Sequence, residues 1–266
     1  MLPQLTILGR SLPTYGVLGM AGVLAGLLCA AARSRRFGLS ADDTAYIYVF
    51  GAVGALLGAK ALYLLTVLPQ LTADLALLRT QPQLFWTRYL YGGMVFYGGF
   101  AGGLLGAAWA ARQYRVRLSA FVPVLAPALA LAHGIARLGC FCAGCCYGVP
   151  SARFGIAFSH SLSAPNGVPL LPVQLYEAAG ELAIFAFLLW FTAQPRRAPY
   201  ALYAYVFAYA PLRFVLEFWR GDSVRGRWAG LSTSQWLSLA ALAAAAFCLR
   251  RAAVRTAAAP DAPAGS

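Results

Sequence analysis

The stretch on which the reading turns is His133-Gly-Ile-Ala-Arg-Leu-Gly-Cys-Phe-Cys-Ala-Gly-Cys-Cys-Tyr-Gly148. It leaves an apolar run, Val122 to Leu131, and sets Arg137 near the end of that run. It then packs Cys140, Cys142, Cys145 and Cys146 into seven residues. A guanidinium in an apolar segment beside a glycine- and thiol-rich turn is costly in lipid, and residues kept at that cost mark function. A second such cluster lies downstream, in Tyr209-Ala-Pro-Leu-Arg213-Phe-Val-Leu-Glu217-Phe-Trp-Arg220. Residues 213 and 217 are one helical turn apart and 220 is three further, so all three share a helix face that Tyr209 extends. The fold is expected to bring the two clusters together.

The surrounding chain sets the solvent. Of 266 residues, 61% are hydrophobic and 11% charged, and the mean hydropathy is +0.66. Soluble domains carry about 25% charged residues, so the composition is that of an integral membrane protein. The formal net charge of +13 does not form a basic face. It sits as short arginine groups between apolar runs, which is a topology signal and argues against nucleic acid as a partner.

A membrane span needs about 20 mostly apolar residues. That measure gives an all-α protein of about seven spans, near 13–32, 44–66, 95–111, 119–138, 174–193, 199–218 and 231–249. Arg33, Arg35, Arg36, Arg112, Arg115, Arg117, Arg196, Arg197, Arg250, Arg251 and Arg255 fall on one side of that arrangement. The other side has Arg10, Arg79, Arg88, Arg153, Arg225 and Arg227. The bias places the N-terminus outside and the C-terminus in the cytoplasm. The N-terminus lacks the basic flank of a cleavable signal peptide, and its apolar segment is long enough to span.

Residues 1–255 form one polytopic domain, with an outer arm at 67–94 and an outer loop at 139–173. Residues 256–266 are Ala/Pro-rich and are expected to be a disordered tail. Gly98, Gly102 and Gly106 repeat every four residues, as do Gly22/Gly26 and Gly54/Gly58, a spacing that lets helix backbones approach closely in lipid.

Two arginines with one glutamate leave positive charge inside the bundle. Unneutralised guanidinium favours an anion, and its fork of donors fits phosphate. Arg137 adds another guanidinium at outer-leaflet depth. Gln174, Tyr176 and Glu177 add polar groups where the fifth span begins. Lys60 lies within the second span and admits two readings, snorkelling to the near interface or meeting a phosphate. His133 and His160 read as hydrogen-bonded structural residues. Cys29 and Cys248, inside spans, read as small hydrophobes. The four clustered cysteines admit zinc ligation, disulfides or reactive thiols lowered by Arg137, with structural or disulfide roles leading. A single CxxC without a matching second pair does not define a metal site.

Taken together, these motifs resemble the prolipoprotein diacylglyceryl transferase family over most of the chain. Arg137-Leu-Gly-Cys-Phe-Cys-Ala-Gly-Cys-Cys-Tyr-Gly148 is similar to its signature Gly-Arg-x-Gly-Asn-Phe followed by Asn-Gly-Glu and a glycine. Tyr91-Gly-Gly-Met-Val-Phe-Tyr-Gly-Gly99 resembles Gly-Gly-Met-Ser-Phe-His-Gly-Gly. Gln174-Leu-Tyr-Glu177 and Arg213-Phe-Val-Leu-Glu217-Phe-Trp-Arg220 are similar to Gln-Leu-Tyr-Glu and Arg-Phe-x-x-Glu-x-x-Arg. Gln235 and Ser238 match a Gly-Gln-x-x-Ser region of the last span, and Tyr15-Gly16 fits the first-span tyrosine.

The resemblance implies transfer of a diacylglyceryl group from phosphatidylglycerol to the lipobox cysteine of a prolipoprotein, releasing glycerol phosphate, at the outer face of the bacterial inner membrane. It implies no cofactor and no metal. Arg137 and Arg213 would hold the phosphate, with Glu217 and Arg220 orienting them. Arg137, Arg213, Glu217 and Tyr97 form the implied catalytic set. Arg220, Tyr15, Lys60, Gln174, Tyr209 and Gly148 are the further residues implied at the head group. Cys140, Cys145 and Tyr97 stand where the family has asparagine, glutamate and histidine. The histidine is a proposed base of the family, whereas an ordinary tyrosine titrates near about 10. The acceptor thiol is itself nucleophilic as thiolate, and arginines nearby favour that form while stabilising the departing phosphate. Two other readings stand beside this one: a membrane protein whose thiols bind metal or serve redox, and a lipid binder without turnover.

Overall fold

A computed structural model describes residues 3–7, 9–90, 93–222 and 226–258. Tyr91 and Gly92 of the second motif, Arg225, and the tail from residue 259 lie outside the described residues, as do the side chains of Arg10, Arg227 and Arg255.

The chain opens with a hairpin, β1 (Gln4–Ile7) and β2 (Arg10–Pro13), and enters α1 (Thr14–Ser34) and α2 (Ala41–Thr66). Three short helices follow, α3 (Leu68–Ala73), α4 (Leu77–Thr80) and α5 (Pro82–Tyr89). Next come α6 (Phe96–Gln113) and α7 (Val122–Ala143). The pair β3 (Ile156–Ala157) and β4 (Pro169–Leu170) lies in the loop before α8 (Val173–Phe191) and α9 (Ala201–Leu216). The pair β5 (Arg227–Trp228) and β6 (Leu231–Ser232) leads into α10 (Thr233–Ala258). The long helices coincide with the seven expected segments. Five of them, counted with their flanking turns as 14–37, 41–66, 118–143, 173–191 and 198–219, are long and apolar enough to cross a membrane. The helix α10 runs on to Ala258, into the stretch expected as tail.

The described residues fall into two units, Ala30–Phe121 and the remainder on either side of it. In the first, α2 and α6 pack along their glycines. A Cβ on Gly54 would strike Gly102 O, and one on Gly58 would strike Gly98 O. The four-residue glycine spacing thus has the expected effect, main chain against main chain. The outer faces of these helices expose Leu57, Phe100 and Leu105, an apolar surface suited to lipid. In the arm, Asp74 accepts from Arg88 Nη1 and Tyr89 Oη, each at 2.6 Å.

The other unit is built on α7, α8 and α9. Ala126 and Ala130 of α7 meet Ile184 and Leu188 of α8 and Ala201 of α9 in a buried apolar cluster. The first part of α1 joins through Gly22, where a Cβ would lie 2.7 Å from Ala132 O. Helix α10 starts in a reciprocal cap: Ser232 N donates to Gln235 Oε1 at 2.9 Å and Gln235 N to Ser232 Oγ at 3.3 Å. That arrangement satisfies two of the donors a helix start leaves open. Gln235 Nε2 also reaches Phe214 O on α9 at 3.3 Å, so the glutamine expected from the last-span motif fastens α10 to α9.

Candidate active site

The site grows from the end of α7. Gly144 takes φ +68°, its N–H bonds Phe141 O at 3.1 Å, and the N–H of Cys145 bonds Cys140 O at 3.1 Å. These two bonds close a Schellman stop, which needs glycine at the left-handed position. The stop folds Cys145 back over Cys140. Cys146 follows at φ +60°, a conformation that costs a non-glycine residue about 1–2 kcal/mol. The chain then runs extended between two neighbours. Gly148 N bonds Leu171 O at 3.0 Å, Val149 N bonds Trp219 O at 2.8 Å, and Gly221 N bonds Tyr147 O at 3.0 Å. A Cβ on Gly221 would sit 2.5 Å from Gly148 O. Gly148, expected at the head group, is held to glycine by a separate approach, since its own Cβ would lie 2.6 Å from Leu171 O; the two contacts set the thiol turn beside Arg220.

The two costly clusters meet. Glu177, fully buried on α8, accepts from Arg137 Nη2 at 2.9 Å and from Tyr209 Oη at 3.1 Å on the same oxygen. Arg213 and Arg220 also act on this carboxylate through their charges. Arg213 Nη2 pairs with Glu217 Oε2 at 2.5 Å and donates to Ser234 Oγ at 3.1 Å. Arg220 forks onto Asp222 at 2.8 and 2.6 Å. His133 accepts on Nε2 from Arg137 Nε at 3.2 Å and donates from Nδ1 to Glu181 Oε1 at 2.5 Å. Glu181 also takes Tyr205 Oη at 3.1 Å.

These carboxylates revise the expected excess of positive charge. Glu177, Glu217 and Asp222 match the three guanidiniums one for one, and Glu181 takes the His133 Nδ1–H and the Tyr205 hydroxyl. Three guanidiniums still hold more N–H donors than the carboxylates use. Arg213 Nη1 is buried with no hydrogen-bond partner among the described residues. A buried donor left open loses its hydration without return, and a tetrahedral oxyanion fits it. The centre therefore offers an anion directed donors rather than net charge.

The thiols lie against this network. All six cysteines are free; of the structural and disulfide roles expected of the cluster, the disulfide is not formed, and main-chain bonds hold the turn. The Sγ atoms of Cys140, Cys145 and Cys146 lie within 4.8 Å of one another, and Arg137 Nη1 is 4.0 Å from Cys140 Sγ. Cys142, on the same seven-residue run, is not in that group. Hydrogen bonds from Cys140 and Cys145, then the charges of Arg220 and Arg137, hold the Cys146 thiol well below the usual thiol range despite burial. The same bonds, with burial, push Cys145 up. Gln174 Nε2 clamps Cys145 O at 2.7 Å. Tyr15 interacts electrostatically with Cys140, Cys145, Arg137 and Cys146.

Arg137, Arg213, Glu217, Arg220, Tyr15, Gln174 and Tyr209 thus belong to one unit and one network. Lys60 and Tyr97 belong to the other unit. Lys60 Nζ donates to Gly93 O at 3.1 Å and Tyr89 O at 3.4 Å and sits 4.9 Å from the Tyr63 ring centre, which ties down the end of the arm. Tyr97 is the second residue of α6, edge-on to Phe96 at 5.9 Å. Sequence reasoning missed Glu181, Tyr205, Ser234 and Asp222. Glu181 was there to be found: it lies four residues after Glu177 inside an apolar span, the spacing that marked Arg213 and Glu217.

The class these features define is a multi-pass membrane protein with a buried arginine–carboxylate–thiol centre built on three packed helices. A model of the prolipoprotein diacylglyceryl transferase family matches residues 3–251. A phosphatidylglycerol–prolipoprotein diacylglyceryl transferase of Clostridium tetani is 31% identical over 234 residues, 88% of this chain and 90% of that protein. The second such transferase of Clostridium perfringens is 32% identical over 234 residues, 88% of each. One from Geobacter sulfurreducens is 32% identical over 230 residues, 84% of each. The chain belongs to the prolipoprotein diacylglyceryl transferase family.

Proposed function

We propose that this chain transfers the diacylglyceryl group of phosphatidylglycerol to the lipobox cysteine of a prolipoprotein, the first step of lipoprotein maturation. The names of its relatives support both substrates. The observation that carries the reading is that Arg137 of α7 and Tyr209 of the Arg213 helix meet on one oxygen of buried Glu177, with Arg213 Nη1 open to one more acceptor. In this reading Arg137 and Arg213 hold the phosphate oxygens, and Glu217 and Asp222 fix the planes of Arg213 and Arg220. The acceptor thiol gives its proton to water, its sulfur attacks as thiolate the glyceryl carbon bearing the phosphate ester, the C–S bond forms and the C–O bond breaks. The electron pair leaves on the phosphate oxygen, where guanidinium donors stabilise it. Lys60 and Tyr97 are assigned here by motif position alone.

The same reading has all seven long helices crossing the inner membrane, the N-terminus and centre toward the extracytoplasmic face and the C-terminus in the cytoplasm. The arginine bias supports that orientation.

The test is transfer in vitro from phosphatidylglycerol to a lipobox peptide. Removing one donor to a developing oxyanion costs about 10²–10³ in rate, so Arg137→Ala and Arg213→Ala should each lose at least that much. Unchanged rates in both variants would defeat the site assignment.

A further inference from the structure

The reaction as derived leaves three thiols without a part. Cys140, Cys145 and Cys146 present their sulfurs within 4.8 Å of one another, and none is tied up in a disulfide. Thiolates sharing one zinc-type ion at about 2.3 Å sit roughly 3.8 Å apart, so the group need close by no more than about 1 Å. An all-sulfur donor set suits zinc or other soft ions rather than magnesium or calcium. The backbone already holds the ligands in place. The Schellman stop at Gly144 and the left-handed Cys146 turn the second and third sulfurs toward the first. Gln174 fixes the Cys145 carbonyl from α8. Outer supports of this kind are what keep metal ligands oriented. Charge is also provided for: three thiolates around a dication leave one negative charge. Arg137 stands 4.0 Å from Cys140 Sγ, and the charge of Arg220 acts on Cys146.

We propose that Cys140, Cys145 and Cys146 form a three-thiolate site for a zinc-type divalent ion, whose open fourth position takes the thiolate of the incoming cysteine substrate. This rests on the transferase reading of the same centre. Zinc with three protein ligands keeps a fourth position for water or substrate, and a thiol bound to such an ion is deprotonated outright. On binding, the substrate thiol gives its proton to water. Its sulfur then forms the C–S bond to the glyceryl carbon while the C–O bond breaks and the electron pair departs with the phosphate. The product thioether is neutral, a weaker ligand, and leaves the ion. The ion thus supplies the activation that a side-chain base would give, in a chain with Tyr97 at the position of the family's histidine.

The experiment uses full-length protein in detergent, purified under reducing conditions, stripped with chelator and titrated with Zn(II), or with Co(II) as a coloured stand-in. One equivalent per chain, with a sulfur-to-cobalt absorption band, is expected. The pair Cys145→Ser with Cys146→Ser should abolish it, and Cys142→Ser should keep it. If the pair does not fold, each single serine variant should still weaken binding at least about tenfold. Failure to bind one equivalent, or full retention in the serine variants, overturns the site. Loaded protein should also transfer diacylglyceryl to a cysteine peptide at least about tenfold faster than stripped protein. Equal rates overturn the substrate-thiol role and leave the transferase reading intact. Stoichiometric metal with no transfer in either form defeats the transferase reading, and thiol capture with it, while the metal site stands.

Discussion

Glu177 is the residue on which the centre turns. One of its oxygens serves Arg137 and Tyr209 together, in a place with no exposure to solvent. Breaking a buried ion pair by removing one partner costs about 3–5 kcal/mol. Glu177→Gln should therefore lower thermal stability clearly, by denaturation of the detergent-purified protein, and should cut transfer. Arg213→Lys keeps the charge and discards the fork; lysine at a bidentate site is not a conservative change. Transfer should fall by about 10–100-fold, a loss of one charge-assisted hydrogen bond, with stability changed less than in Glu177→Gln. Tyr97→Phe should lose less than either arginine-to-alanine variant, since the acceptor sulfur is nucleophilic once ionised. Cys146, held below the ordinary thiol range, should be the first of the three clustered thiols alkylated in chelated protein as pH is raised from acid. Cys145, pushed up, should be the last. Peptide mapping of labelled protein reads the order, and Arg220→Ala should slow the Cys146 reaction. Arg137, Arg213 and Glu217 were legible in the sequence because charge in an apolar segment is itself a signal. Asp222 and Ser234 were not, since polar residues at helix ends are ordinary until a guanidinium is placed on them.

At the scale of elements, the long helices were legible and their ends less so. The expected 44–66 and 174–193 differ from the observed Ala41–Thr66 and Val173–Phe191 by a few residues. In the first case Ser40 caps the helix, its Oγ accepting from Asp43 N at 3.3 Å, and the polar start hid the first turn from a hydropathy count. Helix α10 outran its expected end because alanine and arginine are strong helix formers whether or not they suit lipid. The arm at 67–94 gave only a vague amphipathic pattern, and it consists of three helices too short for periodicity to show. The contact of α2 with α6 was written plainly in glycine spacing. Gly102→Leu would press a side chain against Gly54 O and the Gly58 backbone. Overpacking of this kind costs about 1–3 kcal/mol or more. Limited proteolysis should then cut within 30–121 at lower protease than in the unaltered protein.

At the scale of the whole molecule, an apolar surface surrounds an interior that buries ion pairs beside its apolar core. Leucines and phenylalanines face outward while Glu177, Glu181, Arg213 and Arg220 are buried. Composition alone announced this. It could not say which charges meet, because 137, 177 and 213 are joined only by the packing of α7, α8 and α9. The proposed orientation predicts that a reporter fused after Arg255 is active in the cytoplasm and one inserted near Arg153 is active outside. The reverse pattern would invert the proposed topology.

The ladder from Tyr147 to Val149 is knit to 171 and to 219–221 through peptide groups alone. A frame held that way depends on its glycines, Gly148 and Gly221, and not on the side chains of the thiol turn beside it. Positions 140, 145 and 146 can therefore be rewritten, from amide and carboxylate to thiol or back, without redrawing the architecture. Evolution and the protein engineer have the same freedom there: new chemistry can be tried in an old socket.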